Sequence, residues 1–158
     1  MELEIKLFAM RTQSVECFVN MLASDNLNEK RYAINELIRL LYIGNKMAYE
    51  ALLDYFITSE PAKTLEEVHV RVNVIEVLQY KAKEEELVEH YIAELLKTPS
   101  NNTTRQIYQS IFKYFERCDV EIVREPLESY LKRSKCSPKI KSKVIGIIEK
   151  EIRFPFPY

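Results

Sequence analysis

The stretch VRVNVIEVL at residues 70–78 places a basic residue, Arg71, ahead of apolar residues at positions 74, 77 and 78. Apolar side chains three and four residues apart fall on one stripe of an α-helix, so this stretch predicts an amphipathic helix with a buried face. The same order of one basic and three apolar residues occurs four times, at intervals of 34 to 40 residues. The four sets are Arg31, Ile34, Leu37, Ile38; Arg71, Val74, Val77, Leu78; Arg105, Tyr108, Ile111, Phe112; and Lys141, Val144, Ile147, Ile148.

A second apolar segment follows each of the first three sets. These segments are Leu52, Leu53, Phe56, Ile57; Val88, Tyr91, Ile92, Leu95, Leu96; and Val123, Leu127, Tyr130, Leu131. The repeating unit is therefore a pair of helices, and a period of this length is typical of stacked units that share one core. Only two glycines occur in 158 residues, far fewer than the tight turns of a sheet protein require. The sequence predicts an all-α protein.

Helix boundaries are marked by residues that pair the free backbone groups at helix ends. Asn26 and Thr64 each precede a glutamate by three residues, which is the spacing of a capping box. Ser137-Pro138 combines an N-cap with proline at the first helical position. Gly44 can adopt the left-handed conformation that ends a helix.

These boundaries predict a single helical-repeat domain that spans residues 1–158. Its predicted parts are an N-terminal capping helix or helices at 1–25, helix-pair repeats at 26–58, 64–97 and 101–133, a last helix at 137–153 and a tail at 154–158. Residues 2–10 fit the alternation of a strand as well as the spacing of a helix, and helix is the prediction. The aromatic and proline-rich tail either folds back as an apolar cap, which is the prediction, or docks elsewhere.

The chain resembles the HEAT-repeat family, including its PBS-lyase-type variants, over residues 26–152. The resemblance is carried by the Val70-Arg71 run, the second helices that end in apolar pairs, and Pro126-Leu127. It implies a right-handed α-solenoid of about four stacked antiparallel helix pairs, and a scaffold that binds proteins. The loops before the second, third and fourth basic residues lack the family's usual aspartate, so its hydrogen-bond ladder is not predicted. Another helical solenoid or an irregular helical bundle also fits the apolar spacing.

The sequence contains little that indicates a catalytic site. His69 and His90 have no second ligand at metal-binding spacing, and Cys17, Cys118 and Cys136 form no C-x-x-C pair. Two glycines cannot build a glycine-rich phosphate-binding loop. The sequence therefore predicts no enzyme, no metal and no cofactor. Because charged residues interrupt the N-terminal apolar positions, it also predicts neither a secretory signal nor a membrane span, and a cytoplasmic location.

The second helices carry the predicted binding surface. Aligning Leu53, Ile92 and Leu127 brings acidic residues and two tyrosines into rows beside the apolar stripe. The predicted partner-binding residues are Tyr49, Glu50, Asp54, Tyr55, Glu86, Glu89, Glu94, Glu121 and Glu128. An acidic face repels phosphate and attracts basic protein surfaces, so a protein partner with a basic surface is predicted. The alternative is that these carboxylates only keep the helices soluble.

A basic segment near the C-terminus offers a competing surface. Residues 132–153 hold eight Lys or Arg and two Glu, whereas the chain as a whole has a net charge of −1. The alternative patch consists of Lys132, Arg133, Lys135, Lys139, Lys141 and Lys143. Such a cluster could bind nucleic acid by phosphate contacts, although no aromatic residue is interleaved with it for base stacking. The alternative function is therefore a helical-repeat protein associated with nucleic acid.

Overall fold

The computed structural model describes residues 15–82 and 85–150, and within these ranges the regular secondary structure consists of helices without a strand. The helices are α1 (15–22), α2 (Leu27–Tyr42), α3 (Lys46–Thr58), α4 (Leu65–Leu78), α5 (Val88–Lys97), α6 (Arg105–Arg117), α7 (Val120–Arg133) and α8 (Pro138–Ile148). The all-α class is confirmed. The predictions for residues 2–10 and for the tail at 154–158 lie outside the described residues.

The predicted N-caps form in the structure. Asn26, Thr64 and Ser137 each accept a hydrogen bond from a backbone N–H of the first helical turn. Pro138 follows Ser137 at the start of α8, where its missing N–H leaves no helical bond unmade. These caps fix the starts of α2, α4 and α8 where the sequence predicts them.

The glutamates of the two capping boxes differ from the prediction, because each bonds a group that precedes the cap. Glu67 accepts a hydrogen bond from the N–H of Lys63 at 2.9 Å. Glu29 accepts one from the hydroxyl of Ser24 at 2.5 Å, and that hydroxyl oxygen accepts from the N–H of Asn26 at 3.1 Å. In the box at Asn26, the hydroxyl of Ser24 thus connects the carboxylate of Glu29 to the N–H of Asn26. Both glutamates hold the preceding loop against the start of the helix.

The turn between α2 and α3 is defined by its backbone bonds. Gly44 has a φ of 89°, a left-handed value, which confirms the prediction for this glycine. The N–H of Gly44 donates to the carbonyl of Leu41 at 2.9 Å, and the N–H of Asn45 donates to that of Leu40 at 3.0 Å. This is the Schellman pattern of a helix C-terminus. The side chain of Asn45 then caps α3, so one short segment ends one helix and begins the next.

The helices with even numbers contact one another in chain order. α2 packs against α4, α4 against α6, and α6 against α8. Each later helix with an odd number contacts at least one member of that row: α3 packs on α2 and α4, α5 on α6, and α7 on α8. α5 and α7 also pack directly on each other. One continuous apolar core therefore runs from α1 to α8.

The repeated apolar positions lie in this core, as predicted. Ile34, Val74, Ile111 and Ile147 are all buried. The apolar pairs at the ends of two second helices depart from the prediction, because Ile57 and Leu96 are exposed. Both residues occupy the last turn of their helices, where the preceding residues Phe56 and Leu95 are the buried members of the pairs.

Candidate protein-interaction surface

Exposed carboxylates extend over the second helices. Glu50 and Asp54 lie one turn apart on α3, Glu89 lies in the first turn of α5, and Glu121 and Glu128 lie on α7. All five side chains are exposed. Since α5 packs directly on α7, their carboxylates lie on neighbouring helices. We call this set, together with Glu86, the acidic surface.

Two tyrosines of α3 border the acidic surface, and both are only partly exposed. Burial raises the pKa of Tyr49 to about 12, and the adjacent carboxylate of Glu86 contributes to the increase. Burial also raises the pKa of Tyr55, while the positive charge of Arg71 opposes that effect. Both phenols therefore stay neutral near neutral pH. The proximity of Tyr49 to Glu86 joins α3 to the segment that precedes α5.

Glu94 does not belong to the exposed surface, which corrects the prediction. Its side chain is 1% exposed, and its two carboxylate oxygens accept hydrogen bonds from Arg71 at 3.0 and 2.5 Å. In the alignment of the second helices, Glu94 shares a row with Tyr55 and Ser129. Both of these residues are half-buried, so that row borders the core.

The partner of Glu94 is a buried arginine that contacts several other groups. Arg71 is 4% exposed and donates to the carbonyl of Phe56 at 2.7 Å and to the hydroxyl of Ser59. Its guanidinium also lies 4.7 Å from the centre of the Phe56 ring. A planar guanidinium with five donors can serve all these partners at once. Arg71 therefore fastens the C-terminal end of α3 to α5 through α4.

Further bonds complete this polar cluster around Glu94. The hydroxyl of Thr98 donates to Glu94 at 2.9 Å, and the ammonium of Lys97 donates to the carbonyl of Ser59 at 3.0 Å. Burial lowers the pKa of Lys97, and the carboxylate of Glu94 opposes this shift. A buried carboxylate with this many donors is stable only as part of the complete network. The cluster is thus a structural connection between helices.

Sequence reasoning did not find the Arg71–Glu94 pair, although one signal was available. Arg71 lies among apolar residues of α4, where Val68, Val70, Val74 and Ile75 are all buried. A charged residue on the buried side of a helix requires a buried partner. The sequence thus signals that a partner exists, without identifying it.

The basic patch has exposed side chains at Lys132, Arg133, Lys135, Lys139, Lys141 and Lys143. These residues lie at the C-terminal end of α7, in the following loop and on α8. Lys143 forms an ion pair with Glu116 of α6 and is therefore partly neutralised. Lys132 and Arg133 lie at the opposite end of α7 from Glu121.

Chemically reactive groups are dispersed among the described residues. Within 15–82 and 85–150, no group of three or more His, Cys, Asp or Glu side chains is arranged to hold a metal ion. Of the three cysteines, Cys17 is exposed, Cys136 is partly exposed and Cys118 is buried. In the same part of the chain no helix has the length and apolar character that a membrane span requires.

Comparison with known proteins gave no match. No family model, no curated protein and no solved structure is detectably similar to this chain.

Proposed function

We propose that this protein is a non-enzymatic protein-interaction module that binds a partner with a basic surface. The observation that carries the proposal is the exposure of five carboxylates on α3, α5 and α7, flanked by Tyr49 and Tyr55. Clustered charges of one sign steer an oppositely charged partner during encounter, and tyrosines supply amphipathic contact area. Adaptor, regulator, inhibitor and assembly subunit are all roles of this kind.

The proposal includes a HEAT-like architecture, a right-handed solenoid of about four stacked helix pairs. It is supported by the successive contacts of α2, α4, α6 and α8, and by the recurrence of the apolar pattern in each of these helices. Stacked helix pairs present their second helices as a continuous surface, which suits an extended contact with one macromolecule. In this arrangement the acidic surface belongs to several repeats at once.

Reversing the charge of Glu50, Asp54 and Glu89 to Lys is expected to weaken partner binding by about tenfold or more, mainly by slowing association. The partner is first identified by affinity capture from the native host with mass spectrometry, then purified for kinetic measurement. Stability should change little, because exposed substitutions rarely alter the free energy of unfolding by more than about 0.5 kcal/mol each. Glu94 is left intact because it is buried.

The matched control is a triple variant with the same change in net charge at exposed sites away from the acidic surface, Glu60, Glu66 and Glu149 to Lys. It should retain binding within about threefold, since distant rim charges act only through screened long-range forces. Equal losses in the two triple variants would show that net charge, and not the acidic surface, governs binding.

The alternative function, association with nucleic acid, is supported by the exposure of all six residues of the basic patch. It has a simple test on a heparin column at low ionic strength. We expect the wild-type chain to elute without retention, because its net charge is −1 and its carboxylates repel sulfate. Retention that is lost in a Lys139, Lys141, Lys143 to Glu variant would favour the nucleic-acid function instead.

A further inference from the structure

A second exposed surface lies at the turn between α2 and α3 and at the end of α4. Four large side chains are exposed there: Tyr42 by 56%, Ile43 by 66%, Met47 by 42% and Tyr80 by 69%. Tyr42 and Tyr80 pack edge to face with ring centres 5.5 Å apart, which joins the ends of α2 and α4. We call these four residues the aromatic edge.

The aromatic edge continues into a groove between α4 and α6. The groove has a volume of about 670 Å³, and Tyr80 belongs to both features. Its floor includes Ser110, which is buried, and its far wall carries Lys113 and Arg117, both exposed. A peptide side chain anchored on Tyr80 would therefore lie within reach of two cations one helical turn apart.

Some of the charged side chains of this groove already have partners within the chain, and others can still bind a ligand. The carboxylate of Glu76 accepts a hydrogen bond from Ser110 at 3.3 Å, and that of Glu116 is paired with Lys143. Arg117 uses one donor on the side-chain carbonyl of Gln79 and has others left. Among the described residues, Lys113 has no carboxylate within ion-pair distance. Glu76 keeps its negative charge, so Lys113, Arg117 and the Lys143 that pairs with Glu116 exceed the two carboxylates of the groove by one positive charge.

We propose that the aromatic edge and this groove bind a linear acidic segment of a protein partner, with an aliphatic or aromatic side chain as its anchor. Tyr, Met and Arg are enriched at the centres of protein interfaces, and Tyr and Arg are enriched among the energetic hot spots. The Schellman turn and the Asn45 cap hold Ile43 and Met47 in place, so little conformational freedom is lost on binding. Lys113 and Arg117 attract carboxylates, and we therefore expect the bound segment to be acidic.

This second surface adjoins the acidic surface, because Met47 and Glu50 lie three residues apart on α3, but its proposed role does not rest on the function proposed above. The two surfaces call for partners of opposite charge, since one presents carboxylates and the other Lys113 and Arg117. A failure here would leave the test with Glu50, Asp54 and Glu89 unaffected. A chain with both surfaces in use would connect two different proteins.

The test is selection of random peptides displayed on phage against the immobilised full chain, followed by fluorescence anisotropy with the enriched peptides. We expect enriched sequences to combine Asp or Glu with Phe, Leu or Ile. Tyr80→Ala and Arg117→Glu should each weaken binding by about tenfold or more. Tyr32→Ala is the matched control, because Tyr32 is an exposed tyrosine near the other end of α2, and it should leave the affinity unchanged.

Several results would overturn the proposal. Among them are the absence of enrichment, enrichment of basic peptides, and binding that Tyr80→Ala and Tyr32→Ala reduce equally. Sedimentation of the wild-type chain tests whether a second copy of this chain binds the aromatic edge instead. A concentration-dependent dimer that Tyr80→Ala abolishes would show that a second copy of this chain, and not an acidic segment, covers the aromatic edge. Circular dichroism of each variant confirms that loss of binding does not reflect unfolding.

Discussion

Replacement of Val74 by Asp is expected to lower the free energy of unfolding by about 3 to 5 kcal/mol, because it places an unpaired carboxylate in the core. Val74 is fully buried on α4, which contacts α2, α3 and α6. Ile111→Asp, at a buried apolar position of the same pattern in α6, should have a similar effect. The measurement is urea denaturation followed by far-UV circular dichroism.

Asn73→Asp provides the matched control, since it introduces the same side chain one residue away at an exposed position of the same helix. It should change the free energy of unfolding by less than about 0.5 kcal/mol. If Val74→Asp were no more destabilising than Asn73→Asp, the assignment of the repeated apolar positions to a common core would be wrong.

Removing one partner of the buried Arg71–Glu94 pair is expected to cost about 3 to 5 kcal/mol, because the remaining charge has no compensation in the core. Arg71→Met and Glu94→Leu should each show this loss. The double variant should be markedly more stable than the sum of the single losses implies, since it leaves no buried charge at all. A full return to wild-type stability is not expected, because the carbonyl of Phe56 also loses its donor.

The exposed pair Arg39–Glu36 on α2 is the control, with a contact of 2.7 Å and an arginine that is largely solvated. Arg39→Met should cost less than about 1 kcal/mol, as exposed ion pairs usually do. Additive effects of Arg71→Met and Glu94→Leu in the double-mutant cycle would contradict the description of these residues as one coupled unit.

The helices and their ends could be predicted from the sequence because they depend on local order along the chain. The three- and four-residue spacing of apolar positions within a helix, as at Val74, Val77 and Leu78, reveals a buried stripe before any partner is known. Caps such as Ser137 act on backbone groups within four residues of themselves, so their effect is also local.

The polar cluster could not be predicted in the same way. Glu94 looks like a surface residue in its own helix, and only the position of Arg71, 23 residues earlier, shows that it is buried. The aromatic edge could not be predicted either, because the contact between Tyr42 and Tyr80 depends on how α2 and α4 pack. Alignment of second helices by apolar pattern locates a row but does not show whether that row faces solvent or a neighbouring helix.

Carboxyl footprinting tests the central claim, that the acidic surface binds a protein partner, most directly. The exposed carboxylates are labelled with a carbodiimide and an amine, with and without the purified partner, and the modified peptides are quantified by mass spectrometry. Buried Glu94 should remain unlabelled in both states, which provides an internal control. The account predicts that the partner protects Glu50, Asp54 and Glu89 while Glu60 and Glu149 stay labelled. Unchanged labelling of Glu50, Asp54 and Glu89 in the complex would contradict it.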